Sequence, residues 1–128
     1  MAVDKDMSVL IVDDLESMLG TLRSLLAQLG FHNVEQATDG RAALAKARAK
    51  VPDLIISDWN MEPMGGLELL KEVRADESLR HVPFIIVSAE ARAEAIIAAK
   101  RAGADTYILK PFGAETLRAK LASVLGAF

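Results

Sequence analysis

Four short apolar runs each end on side chains able to do chemistry: LIVDD on Asp13 and Asp14, LIISD on Asp58, FIIVS on Ser88, and YILKP on Lys110. Three carboxylates gathered at one place repel, a conflict relieved by raised carboxyl pKa values or by a bound cation. The donors are hard oxygens, the chain has no cysteine, and no histidine lies beside them in sequence, so Mg²⁺ is the favoured ion. The remaining groups suit phosphoryl transfer. A carboxylate can attack phosphorus, a lysine can pair with the transferred group, and a hydroxyl can donate a hydrogen bond to it. Asp58 is the natural acceptor, because its run is expected to be a central strand. Taken singly, each residue has a plainer reading: Asp14 and Ser88 as helix caps, Lys110 as an exposed lysine, and Pro111 as a device that redirects the chain.

What must position these groups is a repeated βα pattern. Runs rich in β-branched residues at Ser8 to Val12, Asn33 to Ala37, Leu54 to Ser57, Phe84 to Val87 and Thr106 to Leu109 predict five strands. The stripe Leu15, Met18, Leu19, Leu22, Leu25, Leu26 and Leu29 predicts a first helix closed by Gly30. Further helices are expected over Gly40 to Lys50, Gly66 to Arg74, Arg92 to Ala102 and Ala114 to Leu125, with Asp39 capping the second and Gly103 closing the fourth. Such alternation implies an α/β, doubly wound (βα)5 three-layer sandwich, because parallel neighbours need right-handed crossovers. Ligands of open parallel sheets bind beyond the carboxyl ends of the strands, where these groups fall. Periodicity alone leaves the strand order open.

The composition narrows the rest. The chain has 128 residues, 52% of them hydrophobic, which suffices for one core and reads as a single domain over 1–128 with residues 1–7 as a flexible N-terminus. A net charge of −3 offers no global field for nucleic acid, and no apolar run approaches the roughly 20 residues of a membrane helix. The reading is of a soluble, cytoplasmic monomer with neither direct nucleic-acid binding nor membrane insertion.

With Asp13-Asp14, Asp58, Ser88-Ala89 and Lys110-Pro111 in this order and spacing, the whole chain resembles the response-regulator receiver family. Its segments DWNM, GLELLKEVRAD, SAEA and KPF are similar to the single-domain, chemotaxis-type members. The resemblance implies a flavodoxin-like sheet of order 2-1-3-4-5. It also implies phosphorylation of Asp58 by a histidine kinase, with Mg²⁺ held by Asp14, Asp58 and the Asn60 backbone carbonyl, and by Asp13 chiefly through water. Lys110 would contact the phosphoryl group, Ser88 and Tyr107 would act as the switch pair, and Asn60 and Glu90 would tune dephosphorylation. Lys110-Pro111 would be a cis peptide. Ala91, Tyr107, Leu109, Phe112 and Lys120 would form the partner face, for Phe112 with core packing an equally good reading. The implied partners are the kinase, a flagellar motor switch protein and, as a further candidate, a phosphatase.

Two departures from the family pattern fall beside the site: Glu62-Pro63 follows DWNM where Pro is usual, and Gly65 replaces an acidic or polar residue. They put the shape of that loop in question, and Glu62 adds negative charge near the cation. Other readings compete. A phosphorelay carrier or phosphate sink would use the same site. An aspartyl-phosphate phosphatase expects an Asp two residues after the nucleophile, where Asn60 stands, and a flavodoxin-like cofactor binder expects a Gly-rich loop after the first strand. Basic residues of RAALAKARAK and of the Arg92 to Arg101 segment read as solvated faces rather than a nucleotide-binding stripe, and His32 and His81 as surface histidines.

Overall fold

A computed structural model describes residues 4–126. Five strands alternate with five helices: β1 (Val9–Val12), α1 (Glu16–Gln28), β2 (Val34–Ala37), α2 (Gly40–Ala49), β3 (Leu54–Asp58), α3 (Gly66–Ala75), β4 (Phe84–Ser88), α4 (Ala93–Ala102), β5 (Thr106–Leu109) and α5 (Ala114–Leu125). The strands form one parallel sheet of order β2-β1-β3-β4-β5, as the resemblance implied. β3 and β4 run one residue further than their apolar runs, because the ladder continues to the Asp58–Val87 and Ser88–Leu109 pairs. Asp58 and Ser88 are thus the last residues of strands, held by sheet hydrogen bonds rather than carried on loops.

Side chains alternate across the sheet, as strand geometry requires. Val9, Ile11, Leu54, Ile56, Ile85, Val87 and Ile108 pack with Leu19, Leu22 and Leu26 of α1 and Leu117 and Leu121 of α5. Leu10, Val12, Ile55, Phe84 and Ile86 face α2, α3 and α4, meeting Leu44, Leu69, Leu70, Val73 and Ala99. Burial on both faces explains why β1, β3 and β4 read as continuous apolar runs rather than alternating ones, whereas the edge strand β2 is only partly buried. α1 ends as expected, with Gly30 at φ 99° and its N–H donating to the Ala27 carbonyl at 3.0 Å. The Asp39 side chain caps α2 by accepting from the Ala42 N–H at 2.9 Å.

Of the N-terminal segment expected to be flexible, residues 1–3 lie outside the described residues. In the rest, the Asp6 carbonyl accepts from Asn33 Nδ2 at 3.2 Å and Met7 packs against the α1–α5 side of the core.

Arg74, where the third helix was expected to end, joins three segments. Its guanidinium donates to the carbonyls of Gly103 (3.0 Å from Nε and 2.9 Å from Nη2), Val82 (2.7 Å) and Arg80 (3.1 Å), and to Asp105 Oδ2 (3.2 Å). Asp105 Oδ2 in turn accepts from the Phe84 N–H at the start of β4. Arg74→Ala is expected to lower stability by about 2–3 kcal/mol, read as a shift of the denaturation midpoint, because it strands partly buried carbonyls.

Candidate functional site

The strand order reverses at β1, which lies between β2 and β3, and a crevice opens where crossovers leave in opposite directions. Asp13 and Asp14 follow β1 and Asp58 ends β3, so the fold itself delivers the three carboxylates to this crevice. One oxygen of each lies within 4.8 Å of the others. Asp13 and Asp58 are buried, at 1% and 9% exposure, whereas Asp14 is exposed. Lys110, just past β5, reaches across with Nζ 3.1 Å from Asp13 Oδ2 and 3.4 Å from Asp58 Oδ1. Its backbone N–H donates to the Ser88 carbonyl at 2.9 Å, which ties the lysine to the end of β4.

Asp58 Oδ1 accepts from the Trp59 N–H at 2.8 Å, fixing the rotation of the carboxylate. Burial pushes the Asp58 pKa up and the neighbouring Asp13 charge pushes it further; Lys110 and the Trp59 N–H oppose this without cancelling it. A divalent cation would relieve that strain. The donors fit Mg²⁺: carboxylate oxygens only, at a solvent-open mouth able to supply water ligands.

Asp14 does not cap α1. The cap position is Leu15, and Asp13 Oδ1 takes the Leu15 N–H at 3.0 Å, leaving Asp14 at the mouth. Nor does Ser88 cap α4, which starts after Arg92; Ser88 Oγ instead accepts from the Glu90 N–H at 3.0 Å. Asn60 lines a cleft of about 430 Å³ with Asp14, Trp59, Glu62 and Glu68. Glu62-Pro63 and Lys110-Pro111 are both cis, only the second of which was expected. A side chain in place of Gly65 would put its Cβ 2.9 Å from the Trp59 carbonyl oxygen, so this loop passes closer to the strand end than its glycine alone announced. A second cavity, of about 220 Å³, lies at the opposite ends of the strands near Val9 and Pro52, away from the carboxylates.

Tyr107 is 7% exposed, with its phenol donating to the Glu90 carbonyl at 2.8 Å and its ring centroid 6.2 Å from that of Trp59. Glu90 is paired with Arg92 at 2.9 Å, and hydrogen bonding from that guanidinium holds its carboxyl below the usual range. On the expected partner face, Ala91 and Leu109 are exposed, Lys120 is partly exposed, and Phe112 is partly buried against the α1–α5 side of the core. Sequence reasoning missed Gly66, where an added Cβ would lie 2.0 Å from the Asp58 carbonyl oxygen. Nothing in the sequence beyond a glycine opening a helix could have signalled it.

A family profile described as the response regulator receiver domain matches residues 9–122. Chemotaxis protein CheY-3 of Vibrio cholerae is 46% identical over 119 residues, spanning 93% of this chain and 92% of that protein. The solved structure of chemotaxis protein CheY4 of Vibrio cholerae superposes with a TM-score of 0.87 at 39% identity, covering 94% of this chain and 99% of that one. The receiver domain of sensor histidine kinase PA1611 of Pseudomonas aeruginosa, solved with a magnesium ion coordinated in its active site cleft, gives a TM-score of 0.86 at 28% identity, covering 95% and 99%. The chain belongs to the response regulator receiver domain family. It is a phosphoacceptor response regulator of the chemotaxis type, with an acidic pocket of the kind that binds Mg²⁺ in this family.

Proposed function

We propose that Asp58 is the phosphoacceptor and that the domain carries a chemotaxis signal from a histidine kinase to a flagellar motor switch protein. The observation that supports this reading is the meeting of Asp13, Asp14 and Asp58 with the Lys110 ammonium at one crevice. In the transfer, an Asp58 carboxylate oxygen attacks phosphorus as the bond to the donor imidazole nitrogen breaks, giving an acyl phosphate and returning the electron pair to the histidine. Mg²⁺, held by Asp14, Asp58 and the Asn60 carbonyl with Asp13 acting chiefly through water, would supply charge neutralisation for the phosphoryl oxygens. Lys110, already between Asp13 and Asp58, pairs with one of those oxygens, and the Ser88 hydroxyl donates to another. The added group brings about −1.5 to −2 charges, enough to draw Ser88 and its loop and to bias Tyr107. Asn60 and Glu90, at the rim, tune the hydrolysis that resets the signal.

In this reading the protein acts in the cytoplasm as a single receiver domain over 1–128. It works as a monomer, without turning over external substrates, without contacting nucleic acid and without entering a membrane. Among the described residues no helix is long and apolar enough to span one. The partner surface comprises Ala91, Tyr107, Leu109, Phe112 and Lys120, on and around β5. A phosphatase is a further partner. Mg²⁺ at tenfold over its dissociation constant is expected to stabilise the domain by about 1.4 kcal/mol in thermal melts, and Asp14→Asn is expected to lose most of that increment.

The test of the partner assignment is a pull-down with the purified domain, with and without Mg²⁺ and beryllofluoride, using Asp58→Asn as the inactive control. A flagellar switch protein recovered only with the mimic supports the assignment. Recovery of kinases or phosphotransfer proteins alone, with no dependence on the mimic, replaces it with a relay or phosphate sink.

A further inference from the structure

Three contacts converge on Glu90. Its backbone N–H donates to Ser88 Oγ at 3.0 Å, and its carbonyl accepts from the Tyr107 phenol at 2.8 Å. Its carboxylate Oε1 accepts from both the backbone N–H and Nε of Arg92, each at 2.9 Å. A residue held at its amide, its carbonyl and its side chain has little freedom to rotate its peptide groups, so Arg92 helps set where the Glu90 carbonyl points. Arg92 is also the residue that precedes α4, so the same contact fixes where the helix begins. The phosphoryl-transfer chemistry makes no use of Arg92, whose side chain is 75% exposed.

The other end of the contact is a tyrosine with divided preferences. The Tyr107 ring packs in the core against the α2–α4 side of the sheet and beside Trp59, while its hydroxyl needs a partner to remain buried. The Glu90 carbonyl is that partner. If the peptide after Glu90 turns, the phenol loses its acceptor, and an outward rotamer that gives the hydroxyl to water becomes competitive.

We propose that Arg92 is a positioning residue for the Ser88–Tyr107 switch: by clamping Glu90 it holds the carbonyl that receives the Tyr107 hydroxyl, and thereby sets the resting bias of Tyr107 toward its buried position. The assignment of a switch role rests on the proposed function, but the clamp and its effect on Tyr107 do not. An exposed ion pair contributes modestly, which suits a bias rather than a lock, so its removal should change the population of outward Tyr107 by about two- to fivefold.

Tyr107 is the single tyrosine of the chain, so the visible absorbance of the nitrotyrosine formed by tetranitromethane reads it alone. Arg92→Met and Arg92→Ala are expected to raise its nitration rate about two- to fivefold, with the far-ultraviolet spectrum unchanged and the melting temperature lowered by no more than a few degrees. Added salt should raise the wild-type rate toward that of Arg92→Met and leave the variant's rate alone. Glu90→Ala should also accelerate nitration, and the Glu90→Ala/Arg92→Met double variant should react no faster than the faster single variant. Arg101→Met, on the exposed far end of α4, should match wild type. Wild-type rates in both Arg92 variants, multiplying effects in the double variant, or equal acceleration by Arg101→Met would each overturn the proposal. The measurement is made without any phosphodonor, so a failure of Asp58 to accept phosphate would leave it standing, and its own failure would leave the phosphoacceptor assignment intact.

Discussion

Gly66→Ala is expected to destabilise the domain by about 3 kcal/mol or more and to disable the site along with it. The cause is a collision rather than a backbone preference, since an added Cβ would lie 2.0 Å from the Asp58 carbonyl oxygen, 3.0 Å from its carbonyl carbon and 3.2 Å from Trp59 Cα. All three are main-chain atoms. The Gly66 N–H also donates to the Trp59 carbonyl at 2.9 Å, so the helix start cannot retreat without giving up that bond. Relief requires α3 to move off the end of β3 or Asp58 to leave its place beside Lys110. Guanidinium denaturation measures the first consequence and phosphoryl uptake the second. Gly20→Ala supplies the contrast: the position is exposed within α1 with nothing within 4 Å of an added Cβ, and the substitution should stabilise by about 0.5–1 kcal/mol. A loss below 1 kcal/mol for Gly66→Ala would mean that the close approach is not a constraint on the fold.

Asp58→Asn should move function and stability in opposite directions. Phosphoryl uptake should fall by roughly 10⁴-fold or more, since an amide is no nucleophile and no other group replaces it. In metal-free buffer near neutral pH the same change should stabilise by about 1–3 kcal/mol, because it removes a buried charge set against Asp13. The pH dependence follows from the raised pKa. In the window between the unfolded and folded values the native state holds the Asp58 proton more tightly than the unfolded chain does. The Asp58 contribution to wild-type stability therefore falls as pH rises through that window, and its charge penalty is fully present above the folded pKa. The advantage of Asp58→Asn should be greatest at neutral pH and shrink as pH falls through the folded pKa toward the ordinary carboxyl value. Denaturation midpoints of both proteins across acid to neutral pH provide the check, and a constant difference would show that Asp58 carries no such penalty.

The contrast between these two residues indicates what the sequence made legible. Asp58, Asp13, Asp14, Ser88 and Lys110 stood out because each ends a run whose apolar character is forced by burial on both faces of a parallel sheet. Element boundaries were readable for the same reason, and where Asp39, Gly30 and Gly103 mark helix ends the chain states its own punctuation. Side-chain alliances across long separations were not readable. That Asp13 rather than Asp14 takes the Leu15 N–H, that Lys110 divides itself between Asp13 and Asp58, and that Arg74 ties α3 to Gly103 all depend on packing angles that periodicity does not encode. Gly66 was invisible because a glycine opening a helix has the same sequence appearance whether a carbonyl lies 2 Å from its missing Cβ or nothing does.

The most direct test of the phosphoacceptor assignment is to incubate the protein with Mg²⁺ and a small-molecule phosphodonor, reduce the product with borohydride, and map the modified peptide by mass spectrometry. Borohydride converts an aspartyl acyl phosphate to homoserine, marking the position that carried the group. Homoserine is expected at Asp58 alone, in Mg²⁺-dependent yield. Homoserine at Asp13 or Asp14, a stable phosphate ester at Ser88, or uptake unaffected by chelation of the metal would contradict it.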